Sequence, residues 1–263
     1  LIPATTVVRQ GTTALTTSGV FHIEPTSNTA AGCSSTVLTG NLCIRSGTIT
    51  GANSRVLRYD ENPDRTLKGG VERTNLFSTV EHDFGDITGY GEVGYYHALF
   101  TGSREQSAPL STAPISIAAN AYWNPFGPTT SPNRLANLTG VPTTGLAMNI
   151  TTYRPVDTGP RTYTVTDDSY RLLGGLKGGW KGWKWDSALL YSKARTKDMT
   201  HDAISNTAFQ AALNRTDATA YNPFNGGSQP NYSLGDGTPN DRATINSFLI
   251  NVYRISETSL TLA

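Results

Sequence analysis

Few side chains in this sequence stand at spacings that support bond-making chemistry. The four histidines, His22, His82, His97 and His201, are scattered and form no H-x-x-x-H pair of the kind that grips a metal. His82 falls beside Asp83 and His97 among tyrosines, which suits ordinary strand histidines. Asp167-Asp168 has the look of a carboxylate pair or a calcium ligand, and a wet strand rim explains it equally well. Gly85-Asp86 and Gly174-Gly175 make no phosphate-cradling loop, and there is no G-x-S-x-G nucleophile elbow. Cys33 and Cys43 are the only cysteines, and a zinc site needs four ligands. A disulfide closing a small loop between the turn-like Ala31-Gly32 and Thr39-Gly40-Asn41 fits better and implies an oxidising compartment. Two unrelated buried thiols are the other reading. These residues lead us to expect no enzyme, no metal and no cofactor.

Aromatic residues repeat instead. Ala121-Tyr122-Trp123-Asn124-Pro125-Phe126-Gly127 returns as Ala220-Tyr221-Asn222-Pro223-Phe224-Asn225-Gly226. Asn-Pro initiates turns, so both copies belong in loops. Tyr122, Trp123, Phe126, Tyr221 and Phe224 are candidates for stacking on an aromatic chelate or a sugar ring, against the simpler role of packing within their loops. With 21 Lys+Arg against 20 Asp+Glu the formal charge is +1, which gives no electrostatic footprint for nucleic acid.

The elements that must carry these residues are strands. Charged residues are only 16% of the chain, while Gly (26) and Tyr (12) are plentiful and Met (2) is rare, which argues against a helical bundle. Residues 1–68 read as loop, with short strands at Thr5–Arg9 and Ser54–Tyr59. Long, weakly alternating segments follow at about 73–83, 87–104, 161–178, from 183 to about 198, and from 245 onward. Tight turns at Phe84-Gly85-Asp86 and Gly178–Gly182 alternate with long connections at about 106–160 and 199–244. Asp202–Leu213 reads as a short helix. No apolar run approaches the roughly 18 residues of a membrane helix. The chain starts without Met and ends inside a strand-like stretch, so we expect a piece of a longer protein.

Short turns at one end and long loops at the other, on strands well beyond the usual length of about 5–6 residues, are the layout of a membrane β-barrel. Lipid offers no partner for backbone groups, so such strands must close and turn an apolar face outward. The Trp183/Trp185/Leu189/Tyr191 face meets that demand, with its tryptophans placed for an interfacial girdle. The alternating face, with Lys184 and Asp186, suits a wet lumen. A soluble β-sandwich is the competing architecture, but its strands are short.

Asp168–Gly178 followed by Gly182–Ser192 (DSYRLLGGLKG and GWKWDSALLYS) resembles the barrel of TonB-dependent outer-membrane receptors. So do Arg73–Phe77, Gly91–Tyr96 and both Asn-Pro-Phe loops, and the resemblance covers about residues 69–263. It implies an all-β fold, part of a 22-stranded transmembrane antiparallel barrel with long extracellular loops. Residues 1–68 would be an extracellular loop region and 69–263 the barrel strands and loops, with the family's plug domain lying outside this chain. The implied function is active uptake of a scarce ligand: a ferric siderophore, a cobalamin, or a glycan or peptide fragment. The implied partners are outer-membrane lipid, the protein's own plug, an inner-membrane energy-coupling complex and a small extracellular ligand. Lumen-facing Arg73, Glu92, Tyr96, Arg171, Lys177 and Asp186 would bond to the plug. The alternatives are a passive porin-like or adhesin-like barrel and a secreted glycan-binding β-protein.

Overall fold

A computed structural model describes residues 62–106, 115–134, 141–148, 153–224 and 239–263, together with the backbone of strand segments at 2–3, 6–9, 20–25, 42–46, 58–59 and 149–152. Its strands are β1 (Ile2–Pro3), β2 (Thr6–Arg9), β3 (Val20–Pro25), β4 (Leu42–Ser46), β5 (Arg58–Tyr59), β6 (Gly70–Asp83), β7 (Ile87–Arg104), β8 (Ile115–Ile117), β9 (Met148–Thr152), β10 (Arg161–Trp180), β11 (Trp183–Ile204) and β12 (Leu249–Leu262). Two short helices, α1 (Asn206–Leu213) and α2 (Arg242–Asn246), follow β11. The chain is therefore mostly antiparallel β. No helix among the described residues is long and apolar enough to cross a membrane.

The chain forms two compact units. One comprises Leu1–Arg65, Glu105–Pro160 and Asp202–Ile250; the other comprises Thr66–Arg104, Arg161–His201 and Asn251–Ala263.

The strand unit is one sheet in the order β12-β11-β10-β7-β6. β6–β7, β7–β10 and β10–β11 pair antiparallel in unbroken register, from Arg161 opposite Arg104 to Gly178 opposite Ile87. β10 and β11 are joined by the two-residue turn Lys181-Gly182, both at positive φ (50° and 86°). That geometry matches the right-handed twist of the flanking strands. The short turns lie at one end of the sheet, and both long connections leave from the other. The sheet is not closed: among the described residues β6 and β12 are its edges.

The loop unit has its own core. Its five-stranded antiparallel sheet runs β4-β3-β2-β9-β8. Phe209 of α1 meets Tyr221 and Phe248 edge-on, with ring centroids 5.1 and 5.0 Å away. Tyr153, Phe126, Ile117 and Met148 complete a buried cluster around them. The side chain of Ser205 caps α1 by accepting from the backbone N–H of Ala208.

Two boundaries differ from the sequence reading. β11 runs on to Ile204, and as far as Thr200 and His201 it still pairs with Tyr163 and Thr162 of β10. The last strand starts at Leu249, not 245, because Ile245 is 4% exposed in α2 and belongs to the loop unit's core.

Candidate functional site

A strand puts successive side chains on opposite faces, and antiparallel register carries each face across its neighbours. On that basis Arg73, Glu92, Tyr96, Arg171, Lys177 and Asp186 all lie on one face of the sheet. The face is polar and internally paired. Lys177 Nζ lies 2.6 Å from Glu81, and Arg171 lies 3.4 Å from Glu92. The hydroxyl of Tyr90 donates to Asp186 at 2.6 Å, and that of Thr196 to Asp167 at 2.6 Å. Val71 and Phe77 are the large exposed apolar residues of β6 that share this face.

The other face is banded. Leu76 and Val80 on β6, Ile87 and Val93 on β7, Leu172 and Leu176 on β10, and Leu189 on β11 form an aliphatic zone, all of it exposed. Trp180, Trp183 and Trp185 border it at the short-turn end, and Trp183 is 77% exposed. Tyr95, Tyr170 and Tyr191 border it at the other end, with the Tyr95 and Tyr170 rings 5.0 Å apart across β7 and β10. From Ile87 to Tyr95 and from Trp183 to Tyr191 the band is nine residues long, and from Tyr170 to Trp180 it is eleven. At about 3.4 Å per residue and a tilt of about 40°, those spans rise about 21–26 Å.

Beyond the tyrosines the same face turns polar within one row. His97 Nδ1 lies 2.8 Å from Asp168, directly opposite it. Lys193 lies 2.7 Å from Glu257 of β12. Asp167 and Asp168 therefore point to opposite faces and form neither a carboxylate pair nor a shared metal site. Among the described residues no cluster of His, Cys, Asp and Glu is placed to hold a metal.

The loop aromatics are placed differently from a ligand platform. Phe126 and Tyr221 are fully buried and Phe224 is 5% exposed, so their rings pack in the loop unit's core and offer no face to a ligand. Tyr122 and Trp123 are half-buried; their rings meet edge-on, and Trp123 Nε1 donates to the carbonyl of Ala220 at 3.0 Å. The repeat is one turn used twice. Asn124 Oδ1 accepts from the backbone N–H of Phe126, and Asn222 Oδ1 from that of Phe224, each at 2.9 Å. Such Asx turns fold Asn-Pro-Phe back on itself.

Between the two copies, Tyr153 and Tyr221 share a hydroxyl–hydroxyl bond of 2.8 Å, and Tyr221 donates to Asp157. Asn240 Nδ2 donates to Asp157 at 2.6 Å. Burial, reinforced by the carboxylate of Asp157, pushes both tyrosine hydroxyls well above their ordinary range, so the network stays protonated. Cys33 and the disulfide expected of it lie outside the described residues, and of Cys43 only the strand backbone is described.

Sequence reasoning missed two features. The tyrosine row needs register between strands more than 70 residues apart, which no local pattern reveals. Gly89-Tyr90-Gly91-Glu92-Val93-Gly94 does match G-x-G-x-x-G, but it lies inside β7 and opens no helix, so it makes no dinucleotide site. The fold and its two faces define a mostly antiparallel β-protein with one sheet face polar and the other apolar and aromatic-bordered. No protein-family model, curated protein or solved structure matches the chain.

Proposed function

We propose that the chain supplies part of the wall of a transmembrane antiparallel β-barrel in the bacterial outer membrane, and that the barrel belongs to a TonB-dependent active transporter. The banded face carries this reading. An aliphatic zone about 21–26 Å tall, bordered by tryptophans at one end and tyrosines at the other, matches the apolar band of about 25 Å and the twin aromatic girdles of outer-membrane barrels. The nine to eleven residues that cross it equal the number a tilted strand needs to span the bilayer. On this reading the short-turn end faces the periplasm and the long connections lie outside. The opposite face lines a wet interior, where Arg73, Glu92, Tyr96, Arg171, Lys177 and Asp186 face a plug, Arg171 paired with Glu92, Lys177 with Glu81 and Asp186 with Tyr90. The narrower assignment rests on the family resemblance of Asp168–Gly178 and Gly182–Ser192.

Fractionation of cells making the natural polypeptide tests both parts. The protein is expected in the detergent-resistant outer-membrane fraction, running faster on gels before boiling than after, with plug-like peptides mapping to the same polypeptide. Recovery in the soluble fraction would sink the barrel. A membrane barrel with no plug would replace active transport with passive conduction.

A further inference from the structure

We infer that the polar face carries, at the end from which the long connections leave, a binding cleft for a small carboxylate that also bears a hydroxyl or ammonium donor. The inference adds a ligand chemistry to the proposed transporter and rests on the polar face being wet. The cleft measures about 240 Å³, and Arg104, Arg161, Tyr163, Val165, Asp198 and Thr200 line it. That volume lies below the range of about 300–1,000 Å³ typical of drug-sized ligands, so the occupant is small.

Its parts are built by the strand register. Arg104 and Arg161 stand directly opposite each other on β7 and β10. One row further into the sheet, Gly102, Tyr163 and Thr200 stand side by side on β7, β10 and β11. The Tyr163 ring lies flat across Gly102, where a Cβ would come within 2.3 Å of the phenol oxygen. The guanidinium of Arg104 then rests over that ring, 5.3 Å from its centroid. The cation–π contact holds the guanidinium over the ring, and its N–H groups are the donors that grip a planar carboxylate.

Two rows deeper than the arginines, Asp198 and Val165 stand opposite each other. Four residue steps of strand, about 13 Å of backbone, lie between that row and the arginine row, and the Arg104 guanidinium, held over the Tyr163 ring, covers part of that distance. Among the described residues Asp198 has no hydrogen-bond or ion-pair partner. A carboxylate in that position repels a phosphate dianion and accepts a hydroxyl or ammonium hydrogen. The cleft thus reads a ligand with an anionic end and a donor, with Val165 against its carbon skeleton.

Titration calorimetry on the full-length protein in detergent tests this with four probes: lactate, alanine, propionate and inorganic phosphate. Lactate or alanine is expected to bind at least tenfold more tightly than propionate, which lacks the donor, and more tightly than phosphate. Arg104→Gln should weaken lactate at least tenfold, in keeping with the loss of a charge-assisted bond. Asp198→Asn should abolish the preference for lactate over propionate, and Lys184→Gln, at the far end of the same face, should change nothing. Equal binding of lactate and propionate, tighter binding of phosphate, no binding of any carboxylate, or an unaltered Arg104→Gln variant would each overturn the inference. Lactate binding by a protein that stays out of the membrane fraction would instead overturn the barrel and leave the cleft standing.

Discussion

Tyr90 crosses its sheet face in a way that only glycine permits opposite it. A Cβ on Gly175 would sit 2.3 Å from the Tyr90 ring, and the phenol beyond it bonds Asp186 at 2.6 Å. Gly175→Val must evict the ring and break that bond, so it should cost about 1–3 kcal/mol. In the proposed barrel, the midpoint of loss of heat-modifiable gel mobility in urea reads this directly. Tyr90→Ala should remove most of the penalty when combined with Gly175→Val, because the two residues share one contact. Asn124 is the corresponding residue of the loop unit. It is fully buried, and its Nδ2 donates to the carbonyls of Ala118 at 2.9 Å and Leu146 at 2.8 Å. Asn124→Ala takes the side-chain donor from the Leu146 carbonyl, leaves the Ala118 carbonyl with only the Ala121 N–H, and removes the acceptor of the Phe126 N–H, so it should destabilise the loop unit by about 1–3 kcal/mol. A matching rise in protease cleavage between 115 and 148 would show it, and unchanged cleavage would contradict it.

At the scale of the element, the strand faces are what the residues are for. Leu189 and Leu190 are neighbours on β11, identical in kind, and register sends one to the apolar band and the other to the polar face. On the proposed reading of the sheet as a barrel wall, Leu189→Lys should therefore cost about 2–4 kcal/mol in the membrane, whereas Leu190→Lys should fall below about 1 kcal/mol. Equal effects on reassembly from urea into lipid vesicles would refute the face assignment. The long strands were legible because their alternation is local: β7 spans the same Ile87–Arg104 that the sequence pattern marks. The end of β11 was not, because Met199–Ile204 lacks alternation, and Met199–His201 are held in the strand by pairing with β10. That Arg171 and Lys177, or Lys184 and Asp186, share a face was legible too, since residues an even number of positions apart on one strand point the same way whatever the partner strand. The tyrosine row and the Arg104–Tyr163 stack were hidden, because both arise only when register brings distant strands side by side.

The whole molecule divides its labour between two units with different sources of stability. The strand unit exposes its large apolar side chains, while the loop unit buries Phe126, Phe209, Tyr221 and Phe248 in a conventional core. Sequence could not reveal that core, since it is assembled from segments near 117, 153, 209, 221 and 245 with long stretches between them. The loop unit should consequently be the pH-sensitive part. Arg65 grips Glu105 with two bonds, Nε to Oε2 at 2.7 Å and a terminal nitrogen to Oε1 at 2.9 Å. The guanidinium holds the Glu105 carboxyl down at about 2, against 4.5 for an ordinary glutamate. Because the folded value is depressed, the stabilisation is complete above about pH 4.5 and disappears as the pH falls toward 2. Arg65 is half exposed, so solvent screening limits the effect to about 1 kcal/mol. Acidification from pH 6 to pH 2.5 should lower the thermal midpoint of the loop unit, followed by near-ultraviolet circular dichroism of its buried tyrosines. In Arg65→Ala the midpoint should start lower at pH 6 and fall less over the same interval. An equal fall in both proteins would mean that other carboxylates, not Glu105, carry the acid sensitivity.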